Sequence, residues 1–157
     1  MATITPYLWF DNDAEEAIDF YTALFPDAKV GAVARYPEGM PLGGTLMNAE
    51  FELAGQKFIA LNGGPQFPFT EAVSFLVSVE TQEEVDTYWD ALTSNGGEES
   101  QCGWLKDRWG LSWQIVPAAL MRLLSDPDPE AAGRVMQAML QMRKIVIADL
   151  EAAAAAR

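Results

Sequence analysis

A segment of this chain occurs twice. Glu15 to Leu24 (EEAIDFYTAL) lies over Glu83 to Leu92 (EEVDTYWDAL) at an offset of 68, the distance from Glu15 to Glu83. Glu-Glu opens both segments, an aromatic pair stands near the middle and Ala-Leu closes both. Acidic amphipathic helices share a period and capping rules, so such a match is weak alone. The elements around each copy strengthen it. Residues 3–10 read as a strand. Asp13 is placed to cap a helix, with Glu15 and Glu16 in its positively polarised first turn. Ala14, Ala17, Ile18, Tyr21, Leu24 and Phe25 form one apolar stripe, and Pro26 stops it. Residues 28–36, 45–53 and 57–62 read as three strands separated by PEGMPLGG and AGQ.

The plan then restarts. Residues 72–80 read as a strand. Thr81 and Glu84 form a capping box, Val85, Tyr88, Trp89 and Leu92 make the stripe, and Asn95-Gly96-Gly97 ends the helix. Residues 98–102, 104–108 and 111–116 supply three short strands. The expectation is one domain over 1–157, of α+β class, with βαβββ modules at 3–62 and 72–117. NGGPQFPF, residues 62–69, reads as the linker, since its glycines precede neither a lysine nor a helix start. Residues 125–157 form a helical extension. Ser125 or Asp126 caps a helix opening near Pro129, whose apolar face is Val135, Met136, Met139 and Leu140. Arg143 and Lys144 stand at its negative end. The Met-rich stripe reads as core or seam, and EAAAAAR as good helix former.

Composition then limits the chemistry. The 157 residues contain no histidine, which removes Ser-His-Asp and Cys-His catalysis and the commonest metal ligand. Acid–base work falls to Asp, Glu, Lys, Tyr or Cys. A net charge of −13 disfavours nucleic acid and anionic membranes, which bind through clustered Lys and Arg. No apolar run reaches the roughly 20 residues of a membrane span, and the N-terminus lacks a signal-peptide pattern. With a single cysteine, the reading is a soluble cytoplasmic protein. Cys102 reads as an inert buried thiol, Lys106 and Asp107 as a rim ion pair, and Trp104 and Trp109 as packing or pocket-mouth residues.

Strand alternation gives each sheet an apolar face and a mixed one. Ile4, Leu8 and Phe10 oppose Thr5, Tyr7 and Trp9. Met47, Ala49, Phe51 and Leu53 oppose Leu46, Asn48, Glu50 and Glu52. Val73, Phe75, Val77 and Val79 oppose Ser74, Leu76, Ser78 and Glu80, and Leu111, Trp113 and Ile115 oppose Ser112, Gln114 and Val116.

LWFDNDAEEAIDFYTALFPDAKV, TEAVSFLVSVETQEEVDTYWDALTSNGG, QCGWLKDRWGLSWQIVP and LLSDPDPEAAGRVMQAMLQMRKI resemble the PhnB-like branch of the vicinal oxygen chelate superfamily, the fold of glyoxalase I, extradiol dioxygenases and bleomycin-resistance proteins. Members of this branch carry the label 3-demethylubiquinone-9 3-methyltransferase domain. The resemblance implies eight strands curled into a cup-shaped mixed sheet, and a homodimer. It also implies a divalent-metal site in the superfamily's enzymes, whose four positions fall here near Thr5 and Asn62 and on Ser74 and Gln114. None of these is histidine or carboxylate, and together they are too weakly basic for a catalytic Zn²⁺, Ni²⁺ or Fe²⁺. No metal and no cofactor are expected.

A cup lined by Thr5, Tyr7, Trp9, Asn48, Glu50, Asn62, Ser74 and Gln114 could hold a small polar-aromatic molecule. Four functions follow in order: metal-free ligand binding; an enzyme with Glu50 as base and Tyr7 or Gln114 as donor; an interaction module whose groove is filled by its own partner subunit and C-terminal helices; and a divalent-metal lyase or dioxygenase. Methyl transfer from S-adenosylmethionine does not fit, because a doubly wound sheet would need a glycine-rich turn where Asp11-Asn12-Asp13 stands.

Overall fold

The computed structural model describes residues 1–157. They form two compact units, Met1–Phe69 and Thr70–Arg157. Each contains one four-stranded mixed sheet. In the first unit the elements are β1 (Tyr7–Phe10), α1 (Ala14–Leu24), β2 (Lys29–Arg35), β3 (Leu46–Leu53) and β4 (Gln56–Asn62). The sheet order is β1-β4-β3-β2. β1 runs parallel to β4, and the other pairs are antiparallel. The second unit has β5 (Ser74–Val79), α2 (Gln82–Thr93), β6 (Glu98–Glu99), β7 (Trp104–Lys106) and β8 (Ser112–Pro117). Its order, β5-β8-β7-β6, repeats the first, again with one parallel pair between its first and last strands. The duplication seen in the helices therefore extends to strand order and strand direction.

Each helix covers one sheet face, as its stripe predicts. Ala14, Ala17, Ile18 and Tyr21 are buried in α1, above Phe10, Ala49, Phe51, Phe58 and Ala60. The Tyr21 ring stacks on Phe51, and Phe51 on Phe58, with centroids 6.4 and 5.2 Å apart. Burying one such aromatic contributes about 1.5–3 kcal/mol. In α2 the buried residues are Val85, Trp89 and Leu92. The predicted capping box is present: Glu84 N donates to Thr81 Oγ1 at 3.1 Å, and Thr81 N donates to Glu84 Oε1 at 3.2 Å.

Several expectations need correction. β1 starts at Tyr7, not at residue 3, and Ile4 is fully exposed. The ladder ends because Pro6 has no N–H to give; its carbonyl still accepts from Ile59 N at 3.0 Å. Asp13 makes no side-chain cap. Asn62, from β4, does that work, its Oδ1 accepting from Ala14 N at 2.8 Å. Between Leu53 and Gln56 the turn is Ala54-Gly55, both at positive φ (48° and 85°), the twist-matched two-residue hairpin loop.

The extension begins earlier than its sequence suggests. A short α3 (Ala118–Leu124) follows β8 directly, ahead of α4 (Pro129–Leu140) and α5 (Ile147–Ala155). Asp128 caps α4, accepting from Glu130 N at 3.0 Å, while Asp126 caps the turn before it. Val116, Leu120, Leu123, Val135, Ile145 and Leu150 form a second core that Met139 and Met142 flank. Met136 and Leu140, expected on the buried face, are 41% and 47% exposed, because only the Ala131–Val135–Met139 side of α4 meets this core. Arg143 and Lys144 lie beyond the end of α4 and pair instead with Glu99 and Asp86. No helix is long and apolar enough to cross a membrane.

Candidate functional site

In the first unit, one sheet face is closed by α1 and the other is mixed. Strand register decides which residues share the mixed face. Tyr7 stands beside Ile59 and Trp9 beside Leu61. Asn48 stands opposite Leu61, Glu50 opposite Ile59 and Glu52 opposite Lys57. Tyr7, Trp9, Asn48 and Glu50 therefore come together as alternation predicts, and the Asn48 amide donates to the Tyr7 hydroxyl at 3.3 Å. Trp9 is held flat. Its Nε1 donates to Gly64 O at 2.8 Å, Phe67 meets its ring edge-on at 5.0 Å, and a Cβ on Gly63 would lie 2.4 Å from the indole.

A cavity of about 390 Å³ opens on this unit, with Thr3, Thr5, Lys29, Glu50, Glu52 and Lys57 among its lining. Thr5 and Glu50 were expected at a ligand site. Lys29, Lys57 and Thr3 were not, although the register of β4 places Lys57 on the same face as Glu52. Lys29 pairs with Glu52 at 3.2 Å. Glu50 is exposed, whereas service as a general base calls for a desolvated carboxyl.

Asn62 lies elsewhere. Its Cα partner is Phe10, on the helix-facing side, and it is 6% exposed. Its Oδ1 is bonded to Ala14 N, its Nδ2 donates to Leu46 O at 3.1 Å, and its carbonyl accepts from Tyr36 Oη at 2.6 Å. These bonds tie α1, β3 and the loop after β2 to the end of β4.

In the second unit, Ser74 and Gln114 share the mixed face of β5 and β8. Gln114 Nε2 donates to Ser74 Oγ at 2.9 Å. Next to Ser74, the Ser112 hydroxyl is buried without a hydrogen-bond partner. Lys106, across from Ser112, is held by Glu71 at 3.0 Å and Glu98 at 3.3 Å. Those two carboxylates raise its pKa, and Lys106 in turn lowers that of Glu71.

The expected Lys106–Asp107 pair is not formed. Asp107 is 3% exposed and accepts from Trp109 N, Leu111 N and Trp113 Nε1 at 3.0, 3.0 and 2.9 Å. It staples the β7–β8 turn. Trp113 is buried, while Trp109 carries the Arg108 guanidinium 5.1 Å above its ring. Cys102 is half-buried rather than buried, at a φ of 57°.

The donor set does not fit a metal. Among the four carried-over positions, Thr5, Asn62, Ser74 and Gln114 offer only hydroxyl and amide oxygens, and Asn62 is committed inside its own unit. No group of three carboxylate or thiol side chains converges elsewhere in the chain.

A family model described as 3-demethylubiquinone-9 3-methyltransferase matches residues 2–116. Among solved structures, the PhnB protein from Bacillus cereus is 37% identical, with a TM-score of 0.69, covering 74% of this chain and 100% of its own. A Pseudomonas aeruginosa protein is 21% identical at a TM-score of 0.62, covering 74% of this chain and 98% of its own. The fosfomycin resistance protein FosX from Listeria monocytogenes, solved with Mn(II) and sulfate, is 16% identical at 0.54, covering 78% and 94%, and shares the fold. No curated protein matches at a significant level.

Proposed function

The chain belongs to the PhnB-like family described as 3-demethylubiquinone-9 3-methyltransferase, within the vicinal oxygen chelate superfamily, and from that membership we propose a metal-free, homodimeric protein that binds a small polar molecule. The observation that carries this reading is the cavity of about 390 Å³ on the first unit, within the usual range for small-molecule sites. It combines two lysines, two glutamates and threonine hydroxyls with the apolar Ile59, and such convergent polar groups fix a ligand's orientation. The weak donor set supports binding without a metal.

Binding is favoured over turnover because Glu50 is exposed and no histidine is available. Methyl transfer is disfavoured on architecture. β1 leads into Asp11-Asn12-Asp13, and neither four-stranded mixed sheet is a doubly wound one with a glycine-rich first turn. The test is an amide NMR titration of the full chain in EDTA with a small-fragment library. Saturable shifts gathered on cavity residues are expected. Shifts that require added divalent metal, or none from any fragment, would overturn the reading.

A further inference from the structure

We propose that the ligand of this cavity is a small zwitterion with an amine at one end and a carboxylate at the other, held by Glu50 and Lys57; this rests on the binding reading above. The chain contains four lysines, and three are engaged: Lys29 with Glu52, Lys106 with Glu71 and Glu98, and Lys144 with Asp86. Lys57 joins no ion pair, although it lines a cavity that also contains Glu50, and Glu50 joins none either. One positive and one negative charge thus stand unneutralised at the same opening.

Their places on the sheet set the spacing. Glu50 is opposite Ile59 and Glu52 opposite Lys57, so Glu50 and Lys57 are diagonal neighbours on one face. Such positions lie roughly 7–8 Å apart. A molecule crossing that diagonal passes Ile59, which offers an apolar surface to a short methylene spacer.

The backbone is also shaped at Glu50. Opposite it, β2 carries one extra residue: Val30 pairs with Phe51 and Val33 with Ala49, leaving Gly31 and Ala32 against Glu50 alone. This is a β-bulge, a device that re-aims a side chain. Gly31 is not at positive φ. Its role is space, because a Cβ there would stand 3.2 Å from both the Glu50 Cβ and Oε2. A glycine inside a strand costs stability, roughly 0.5–1 kcal/mol relative to alanine, and here it leaves room for the carboxylate to lie over β2.

Charge balance excludes simpler ligands. A plain anion approaches a chain of net charge −13 and meets two carboxylates in the cavity. A plain cation meets two ammonium groups there and, with 23 acidic residues in the whole chain, has many other carboxylates to choose among. A zwitterion satisfies both free charges without net charge of its own.

The test is an amide NMR titration of the full chain at pH 7 with four probes of one length: 4-aminobutyrate, butyrate, butylamine and butyramide. 4-Aminobutyrate should move the Gly31, Glu50 and Lys57 amides saturably, with a Kd at least about fivefold below the other three. Glu50→Gln should weaken 4-aminobutyrate by about fivefold and should not weaken butyrate, which loses a repulsive neighbour. Lys57→Gln should weaken 4-aminobutyrate similarly and should not weaken butylamine, which loses a repulsive neighbour. Gly31→Ala, which displaces the Glu50 carboxylate, should weaken 4-aminobutyrate without altering the melting temperature by more than about two degrees. If butyrate, butylamine or butyramide binds at these amides as tightly as 4-aminobutyrate, the zwitterion assignment falls and the binding reading stands. If neither these probes nor the wider fragment library moves the cavity amides, both fall.

Discussion

Two residues show how local chemistry fixes this fold. Asp107 is a buried carboxylate whose three N–H donors come from its own turn and from Trp113. Replacing it with alanine strands two backbone donors and an indole, so Asp107→Ala should cost about 2–4 kcal/mol in urea unfolding. A loss below about 1 kcal/mol would mean that water replaces the carboxylate there. Ala54 is the converse case. It holds a φ of 48° in a hairpin turn that suits asparagine and glycine. Its left-handed conformation costs about 1 kcal/mol, and Ala54→Asn should raise stability by roughly 0.5–1 kcal/mol. The alternation of β1 and β3 made Tyr7, Trp9, Asn48 and Glu50 legible as one face. Asp107 was not legible, because nothing in KDRWG distinguishes a rim carboxylate from a turn staple before the Trp113 indole is in place. Asn62 was carried to the cup by resemblance, and the parity of β4 with Phe58 and Ala60 turns it toward α1.

At the scale of elements, one side chain ties the C-terminal extension to α2. Gln82 Nε2 donates to Ile145 O at 3.0 Å and to Asp86 Oδ1 at 3.0 Å, and its Oε1 accepts from Ile147 N at 2.8 Å. Gln82→Ala should speed hydrogen exchange of the α5 amides by about tenfold while α1 is unaffected; equal exchange in both proteins would place the anchoring in the apolar core alone. Lys144 supports the same junction. Hydrogen bonds from Lys144 and Gln82 hold the Asp86 carboxyl below its ordinary pKa. A depressed folded pKa gives stability that is complete above the unfolded value, near 3.9, and lost as pH falls through the lower folded one. The extension should therefore loosen in acid below about pH 4, and less in Lys144→Gln, with the small, salt-sensitive size of exposed pairs. Both modules' helices were readable from stripe and cap. α3 was not, since seven residues between Pro117 and Ser125 give too little periodicity, and its burial of Ala119, Leu120 and Leu123 is decided by α4 and α5.

For the whole molecule, the family model ends at residue 116, where the second core begins. A chain truncated after Pro117 loses the cover of Val116 and should precipitate or bind a hydrophobic dye at neutral pH; a soluble, dye-free truncation would mean that the modules need no extension. The duplication was visible as one helix repeated, and strand order extends it to both sheets. The FosX structure was solved with Mn(II), and the proposal made for this chain, with its hydroxyl and amide donors, is that it binds without a metal. The most direct measurement is a thermal melt of the full chain with Ni²⁺, Zn²⁺, Mn²⁺ or EDTA, because a ligand that binds only the folded state must raise the midpoint. Midpoints within about one degree of each other are expected. A rise of several degrees with one cation, reversed by EDTA, would contradict the metal-free proposal.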